Sequence, residues 1–329
     1  MLDLSYQNWL CVRKDTVLDF VLNSINRFAA SSKQSELLIK AVQVYPAFRA
    51  HPDSAHPYIH VPLLVFAGIT GDDSGAIPVS GVALMIRIAS KLYDDFMDGD
   101  LSEEWMDSAR HEIFDTVLAL ACLLPSCVLA DLDIPAANRL EMQQLLSESL
   151  LKMLAGQSQD LANKNQAFVS SQDVEASVIG KSGAAIALMA GLAAKLADVP
   201  LDVTRAYMDF GLALGVLNLV VKDIYEMFKD PNCRDLVQGT RTMQIALALE
   251  EMSDSEQASF LELLEAARST ETARDRVRKE LRKMRYFFPC WEIVNQYKMQ
   301  AKNALEQAAP KEPARAFLLS LIDSQTTAI

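Results

Sequence analysis

Three acidic side chains follow an apolar stretch in the segment IRIASKLYDDFMDGD. We predict a helix over 79–98 that carries Asp94, Asp95 and Asp98 at its C-terminal end, where the helix macrodipole disfavours negative charge. Residues four apart share a helical face, so Asp94 and Asp98 project side by side, with Asp95 one step round. Carboxylates in this arrangement can hold a Mg²⁺ ion that also bridges phosphate oxygens. The alternative is a solvated, frayed helix end.

The elements that position these acids are predicted to be helices. Leu, Ala, Met, Glu and Lys dominate, and twelve Gly and twelve Pro are few for 329 residues, which favours an all-α fold over a turn-rich β fold. No break is long enough for a domain linker, so we predict one domain over 1–329, with 309–329 as a tail or a last helix. Apolar residues recur with a period near 3.6 in about a dozen segments: 14–30, 33–48, 79–98, 108–130, 136–163, 172–197, 201–229, 240–251, 255–267, 271–287 and 290–308.

Charge and composition exclude several kinds of function. A net charge of −12 argues against a nucleic-acid partner, which calls for a clustered positive surface. The five Cys show no CxxC pair and the four His no zinc-ligand spacing, so cysteine and zinc chemistry are not expected. The start of the chain lacks a basic segment followed by an apolar one, and no uninterrupted apolar run reaches ~18 residues. We therefore expect a soluble cytoplasmic protein without a membrane span.

Several segments, in order, resemble the trans-prenyl diphosphate synthase superfamily. Its first aspartate-rich motif, DDxxD, is matched by Asp94, Asp95 and Asp98. The resemblance covers about 55–250 and implies the isoprenoid synthase fold, a single large helical bundle around a central cavity, usually as a homodimer. It also implies a prenyl diphosphate substrate whose diphosphate is bound with two or three Mg²⁺ ions. The further matches are Gly156 to Leu161 with the family's GQxxDL helix, Gly180 to Ala184 with its KTG or KTA segment, Phe210 to Glu226 with its second aspartate-rich helix, and Asp235 to Thr242 with the following loop.

The resemblance gives the matched residues expected roles. The small Ala89 and Ser90 precede the first Asp where the family gates pocket depth, so we expect a substrate of C15 or longer. The candidate catalytic residues are Asp94, Asp95, Lys181 and Lys222. The candidate substrate-binding residues are Ala89, Ser90, Phe96, Gln157, Lys181, Lys222 and Arg241. The candidate metal ligands are Asp94, Asp95, Asp98, Asn218, Asp223 and Glu226.

The second aspartate-rich motif is altered. Asn218, Lys222 and Glu226 lie at i, i+4 and i+8, which resembles the spacing of the metal triad of terpene cyclases with Lys in place of Ser. We hypothesise that Lys222 places its ammonium against the diphosphate and partly substitutes for a metal ion. The alternative is an ordinary salt bridge from Lys222 to Glu226, which contributes only about 0.3–0.5 kcal/mol if exposed.

The residues with which chain-elongating members of the family bind isopentenyl diphosphate are replaced in this sequence. Chain-elongating members carry GGKxxRP before the first motif and two arginines after it. Here these positions read Ala55 to Pro62 without a Lys or Arg, and Leu101 to Trp105 with two acids. Coulomb repulsion disfavours a second diphosphate there, unless another cation such as Arg49 or Arg110 compensates.

Three functions stay open. The leading interpretation is a class I terpene synthase, which ionises one prenyl diphosphate and cyclises or quenches the cation. The second is a prenyltransferase with a prenyl diphosphate donor, either a chain elongator with a replaced isopentenyl site or an enzyme of the ComQ type that modifies a peptide. The third is a non-catalytic subunit of a heteromeric synthase, which the altered second motif favours and the three acids oppose.

Overall fold

A computed structural model describes residues 6–45, 56–164, 166–230 and 232–326. All regular structure in these ranges is helical and none is a strand, which confirms the all-α prediction. The α-helices are α1 (Tyr6–Phe28), α2 (Ser32–Val44), α3 (Pro57–Thr70), α4 (Ile77–Asp98), α5 (Glu103–Met106), α6 (Arg110–Leu118), α7 (Leu124–Ala130), α8 (Ala136–Lys164), α9 (Ser171–Val178), α10 (Ala184–Leu196), α11 (Leu201–Lys229), α12 (Arg234–Gln238), α13 (Met243–Glu251), α14 (Asp254–Ala267), α15 (Glu271–Leu281), α16 (Met284–Ala308) and α17 (Ala314–Thr326). Two π-helical turns, Ala119–Leu123 and Ile179–Gly183, join α6 to α7 and α9 to α10.

The predicted helices differ from the observed ones at several places, and two of these differences have a clear physical reason. Helix α3 was not predicted, because its residues are apolar on nearly every side and show no period; Pro57 stands at its start, where a missing N–H has no cost. The predicted helix over 271–287 is wrong: α15 ends at Leu281, and α16 begins at Met284 and continues through Pro289. The residues after Pro310 form a last helix, α17, as one of the two expected outcomes.

The chain forms two compact units, each with its own core. The first unit comprises Met1–Ser147, Leu188–Tyr207 and Ala308–Leu321, and the second comprises Glu148–Ala187, Met208–Gln307 and Ile322–Ile329. The single-domain assignment stays a prediction.

Helix α4 lies at the centre of the first unit. It packs against α1, α2, α3, α6 and α7, and its residues from Val79 to Ala89 are buried except for Arg87. A buried carboxylate, Asp73, lies just before α4: it accepts hydrogen bonds from Trp9 Nε1 (2.6 Å) and from Arg13 Nη2 (2.6 Å) on helix α1. This ion pair fixes helix α1 beside the start of the helix that carries the acidic motif.

Close backbone contacts through glycines define the second unit. A Cβ atom on Gly156 of α8 would lie 2.5 Å from the backbone nitrogen of Lys181. A Cβ atom on Gly215 of α11 would lie 2.3 Å from the carbonyl oxygen of Ser182. The Ser182 hydroxyl donates to Gly215 O at 2.8 Å. Only glycine permits this approach, which brings α8, the π-helical turn with Lys181 and α11 into backbone contact.

Three helical stretches of the described chain are long and apolar enough to cross a membrane, by length and composition alone: Ser74–Asp98, Arg110–Ala130 and Ser171–Leu196. In the most apolar 18 residues of each stretch, 67% and 72% of the residues are buried for the first and the third, but only 44% for Arg110–Ala130. The described residues therefore leave much of the apolar surface of this stretch uncovered. The cytoplasmic location and the lack of a membrane span stay predictions.

We expect Gly156→Ala to lower the thermal unfolding midpoint by several degrees. The added methyl group would overlap the backbone at Gly180 and Lys181, and overpacking of this kind typically costs about 1–3 kcal/mol. Circular dichroism during heating measures the shift. The matched control is Ala155→Ser, at an exposed position of the same helix, which should leave the midpoint nearly unchanged. Equal midpoints for wild type and Gly156→Ala would contradict the close contact.

Candidate functional site

The first aspartate motif lies at the C-terminal end of α4, as predicted. Asp94, Asp95 and Asp98 are all partly buried. The helix ends at Gly99, whose φ of 73° is left-handed, and the N–H of Asp100 donates to Asp95 O at 2.8 Å. This cap satisfies backbone carbonyls but adds no positive charge. The motif therefore places three carboxylates at the negative end of the helix dipole.

A lysine compensates part of this charge. Lys91 forms an ion pair with Asp95 one turn further along α4, and the two side chains are 25% and 17% exposed. The i, i+4 spacing of Lys91 and Asp95 is visible in the sequence, but Lys91 was not among the predicted site residues. One of the three motif carboxylates, that of Asp95, is thus paired with a lysine of the same helix.

The predicted substrate-binding residues of the first unit lie along the same helix. Ala89 is fully buried, whereas Ser90 is partly buried and donates from Oγ to Ile86 O at 2.8 Å. The Phe96 ring packs edge-on against Phe114 at 5.0 Å, and the Arg110 guanidinium lies 5.5 Å from the Phe96 ring centre. These roles stay predictions. Arg49, the other expected compensating cation, lies outside the described residues.

The second unit brings together acids and lysines from four places in the sequence. Lys181 Nζ lies 3.0 Å from Asp160 Oδ2 of α8. On α11, Lys222 Nζ lies 3.0 Å from Glu226 Oε1, which is the salt bridge named as the alternative, and 56% of the Lys222 side chain is exposed. The carboxylates near these lysines also act on one another; they are Asp160, Asp223, Glu226 and Asp235. We call this set the acid–lysine cluster: Asp160, Lys181, Lys222, Asp223, Glu226 and Asp235.

Negative charge in the acid–lysine cluster is only partly compensated. Burial, and then the nearby Asp235, raise the pKa of Asp223 well above its ordinary value. Burial and Glu226 raise the pKa of Asp235 to about 6. Desolvation opposes the charge of Lys222, but Asp223 and Glu226 outweigh it and raise the pKa of Lys222. The cluster therefore favours any additional cation.

The donor set fits a hard divalent cation. Among the described residues, no three His, Cys, Asp or Glu side chains are close enough to hold a metal ion by themselves. Mg²⁺ commonly takes only one or two protein carboxylates and completes its shell with water and substrate phosphate oxygens. Asp235 Oδ2 is buried and has no hydrogen-bond partner in the described chain. This oxygen and the mutual repulsion of the acids are what a bound cation would relieve.

The other predicted residues of the second unit have different neighbours. Gln157 is buried, with 8% exposure. Asn218 donates from Nδ2 to Gln325 Oε1 at 2.6 Å. Arg241 lines a cavity of about 350 Å³ together with Lys164 and Arg268. Its pKa is lowered by burial and by Arg268.

Arg278 and Gln244 hold the end of α11 that carries the cluster. Arg278 donates from Nε to Met227 O at 2.9 Å and from Nη2 to Asp230 O at 2.6 Å. Gln244 donates from Nε2 to Asp223 O at 3.1 Å. These bonds satisfy carbonyls at the C-terminal end of the helix, where a cation is also favoured by the dipole.

Asp160 and Asp235 were not among the predicted site residues. Both lie in segments that match the family, in the GQxxDL helix and in the loop after the second motif. Each of them acts on Asp223 in the folded chain. The sequence signal was present in the matched segments, but the contact between them needs the fold.

Comparison with known proteins identifies the family. Residues 62–284 match polyprenyl synthetase, and because this is well over half of the chain, the chain belongs to the polyprenyl synthetase family. A (2E,6E)-farnesyl diphosphate synthase from Mycobacterium bovis is 26% identical over 181 residues, which cover 52% of this chain and 49% of that protein. The chain thus spans about half the length of the curated relatives it matches.

Solved structures share the fold. A geranylgeranyl pyrophosphate synthetase from Pyrococcus horikoshii Ot3 has a TM-score of 0.83 at 18% identity, with 97% of both chains covered. A geranylgeranyl pyrophosphate synthase from Corynebacterium glutamicum, complexed with isoprenyl diphosphate and magnesium, has a TM-score of 0.80 at 15% identity, with 99% of this chain and 100% of that chain covered. At these identities the likeness shows the fold alone. It confirms the isoprenoid synthase fold.

We expect Asp235→Asn to stabilise the metal-free protein at pH 7.5. The folded pKa of about 6 lies above the unfolded value of about 3.9, so the protonated carboxyl stabilises the fold below about pH 4 and this contribution is lost as the pH rises through 6. Asn stays uncharged. The variant should therefore gain on the order of 1–3 kcal/mol over wild type at pH 7.5, and little at pH 4.

Urea unfolding at both pH values in a buffer with chelator measures this difference. Glu262→Gln, at an exposed position of α14, is the matched control and should follow wild type. If Asp235→Asn shows the same dependence on pH as wild type, Asp235 does not titrate in the folded chain as described.

Proposed function

We propose that this protein is a Mg²⁺-dependent prenyltransferase, which ionises a prenyl diphosphate donor and transfers its prenyl group to an acceptor. The observation that carries the proposal is the acid–lysine cluster, where Asp223 and Asp235 have raised pKa values beside Lys181 and Lys222. The excess negative charge of this cluster favours a bound cation, and its two lysines favour an anion beside that cation. The sequence alone favoured a terpene synthase; membership of the polyprenyl synthetase family and the farnesyl diphosphate synthase relatives favour transfer instead.

The residues of the chain have distinct tasks in this proposal. Each unit has its own oxygen ligands for a divalent cation: Asp94, Asp95 and Asp98 in the first unit, and the carboxylates of the acid–lysine cluster in the second. When bound, Mg²⁺ supplies Lewis-acid stabilisation of the negative charge that develops on the leaving diphosphate. The allylic C–O bond breaks and its electron pair stays with the diphosphate. Lys181 and Lys222 add positive charge to the diphosphate oxygens, which favours this separation of charge.

The proposal also names Mg²⁺ as the metal ion and sets a minimum length for the prenyl donor. The relative from Corynebacterium glutamicum is complexed with isoprenyl diphosphate and magnesium, which supports the same pair of ligands here. Ala89 and Ser90 are small, which supports a donor of C15 or longer. The number of ions, two or three, stays a prediction.

A terpene synthase is the second candidate, because the region that would hold a second diphosphate has lost its basic residues. Glu103 and Glu104 are exposed at the start of α5. His60, in the segment Ala55 to Pro62, is buried, and burial lowers its pKa to about 3, so it is uncharged at neutral pH. A cyclisation needs only one diphosphate and would tolerate these changes.

We also propose a homodimer through the apolar face of Arg110–Ala130. Phe114, Leu118 and Leu123 are 48%, 55% and 52% exposed, and no charged residue occurs from 116 to 130. An exposed patch of this kind marks an interaction surface. The same stretch is long enough to span a membrane. A lipid surface is therefore the alternative to a second copy of the chain as the partner of this apolar face.

The reaction is tested by incubation with Mg²⁺ and farnesyl diphosphate, with and without isopentenyl diphosphate, followed by mass analysis. We expect a longer prenyl diphosphate only when isopentenyl diphosphate is present. Asp94→Asn should reduce product at least about a hundredfold, since it removes electrostatic stabilisation at the leaving group. Glu262→Gln is the control for a surface acid. Hydrocarbon or alcohol without isopentenyl diphosphate would instead support the terpene synthase, and no product in either tube would contradict both.

We expect Leu118→Glu combined with Leu123→Glu to convert a dimer into a monomer. Each change places a charge on the apolar face, and a buried unpaired charge strongly disfavours association. Light scattering after size exclusion measures the mass. Val12→Glu, which is exposed on α1, should remain dimeric. A wild-type protein that is monomeric and sediments with lipid vesicles would contradict the homodimer and favour the lipid surface.

A further inference from the structure

A cavity of about 350 Å³ opens in the second unit beside the loop that follows α12. Its described lining residues come from the end of α8, from the loops after α8 and α12, and from the C-terminal half of α14 with its cap. They share no residue with the acid–lysine cluster. Three of these side chains are cations, Lys164, Arg241 and Arg268, and one is a carboxylate, Glu265. The cavity therefore carries surplus positive charge in a protein whose net charge is −12.

Gly239 holds the two arginines of the cavity close together. A Cβ atom at Gly239 would lie 3.5 Å from Arg268 Cζ, so the guanidinium of Arg268 packs against the glycine backbone. The carbonyl oxygen of the same glycine accepts a hydrogen bond from Arg241 Nη1 at 3.3 Å. Arg241 Nε also donates to Gln166 O at 3.3 Å. Both guanidiniums thus lie next to one glycine, on the wall of the same cavity.

The positive charge of these arginines is poorly compensated. Within the part of the chain that the structure describes, the one carboxylate paired with either guanidinium is Glu265, at 3.4 Å from Arg268 Nη1. The two side chains of this pair are 75% and 46% exposed, and exposed pairs of this kind contribute little. Burial, and then the charge of Arg268, lower the pKa of Arg241, because the two guanidiniums repel each other. An anion next to both of them would remove this repulsion.

Other features of the cavity indicate the chemistry of that anion. Lys164 is the last residue of α8 and adds a third cation, at a helix end where positive charge is favoured. Leu261 and Leu264 of α14 form an apolar part of the wall. Guanidinium groups bind the oxygens of a phosphate in a bidentate way, and the apolar wall beside them can contact a small carbon group. A phosphate monoester matches this combination of charge and surface.

We propose that this cavity is a binding site for a phosphate group, either free phosphate or the phosphate of a small monoester, held by Arg241 and Arg268 with Lys164 beside them. The site is separate from the acid–lysine cluster, so the inference goes beyond the proposed function and does not depend on it. Arg241, which the sequence predicted to bind the substrate, is assigned to this second anion. Lys164 also acts on Asp235, so an occupant of the cavity lies within electrostatic reach of the cluster.

Calorimetric titration with phenyl phosphate, at constant ionic strength and with a chelator present, tests the inference. We expect Arg268→Gln and Arg241→Gln each to weaken binding at least about fivefold, because a charge-assisted contact is lost. Arg268→Lys, which keeps the charge without the planar fork, should give an intermediate affinity. A parallel titration with inorganic phosphate identifies the source of the phosphate group. Weaker binding than that of phenyl phosphate supports a monoester, and equal or stronger binding supports free phosphate.

The carboxylate of the cavity provides a second, independent test. Glu265→Gln removes the group that competes for Arg268 and should strengthen phosphate binding by about two- to fivefold. Glu262→Gln makes the same change of charge at an exposed position of the same helix and should bind like wild type. Arg285→Gln is the matched control for the arginines, since Arg285 is exposed and pairs with Glu256 of α14. It should also bind like wild type.

Three results would overturn the inference: no binding of either phosphate compound by wild type, wild-type affinity in Arg268→Gln, or loss of phosphate binding in Lys222→Gln. The last result would place the phosphate in the acid–lysine cluster instead. Equal affinities for Glu265→Gln and Glu262→Gln would also overturn it, and this comparison is decisive if the arginine variants fail to fold.

A competition experiment separates this inference from the proposed function. Farnesyl thiodiphosphate, an unreactive donor, is added with Mg²⁺ to the protein saturated with phenyl phosphate. We expect the donor to bind without displacing phenyl phosphate, and Arg268→Gln to bind the donor as wild type does. Displacement in equal amounts would overturn the inference, because both ligands would then share one site. If the donor does not bind, the proposed function fails, and the phosphate titration still decides the inference.

Discussion

Electrostatic repulsion between partly buried carboxylates is the constraint on which the rest of this structure depends. The C-terminal end of α4 holds three acids where the helix dipole already opposes them. In the second unit, burial and Asp235 raise the pKa of Asp223, and burial and Glu226 raise the pKa of Asp235. Because the pKa values of Asp223 and Asp235 are raised in the folded chain, their ionisation lowers the free energy of unfolding at neutral pH. The packing around them holds the acids in place against that repulsion.

Lysines offset part of this repulsion in a consistent way. Lys91 pairs with Asp95, Lys181 with Asp160, and Lys222 with Glu226. Each lysine neutralises one carboxylate and leaves others beside it with surplus negative charge. The ammonium groups can turn to a phosphate when one arrives, since a lysine side chain is flexible and its charge is a point charge. An exposed pair such as Lys222 with Glu226 contributes little to stability and is easily exchanged.

Most of the helices could be predicted from the sequence, because the apolar residues of an amphipathic helix recur at a regular spacing. The end of α4 with its three acids, and α11 with Lys222 and Glu226, lie where the pattern indicated. Helix α3 could not be predicted in this way, because its residues are apolar on nearly every side and so show no period. The proximity of Asp160 and Asp235 to the other residues of the acid–lysine cluster could not be predicted. It depends on tertiary packing, including the close backbone contacts at glycines.

The central proposal is that a divalent cation links protein carboxylates to the diphosphate of a prenyl substrate. The most direct measurement replaces Mg²⁺ by paramagnetic Mn²⁺ and records the ³¹P relaxation of farnesyl thiodiphosphate bound to the protein. Direct coordination predicts strong broadening of both phosphorus signals, which disappears when Mg²⁺ in excess displaces Mn²⁺. Binding of the diphosphate with unbroadened signals in the presence of Mn²⁺ would contradict the claim, because the ion and the phosphate would then occupy separate places.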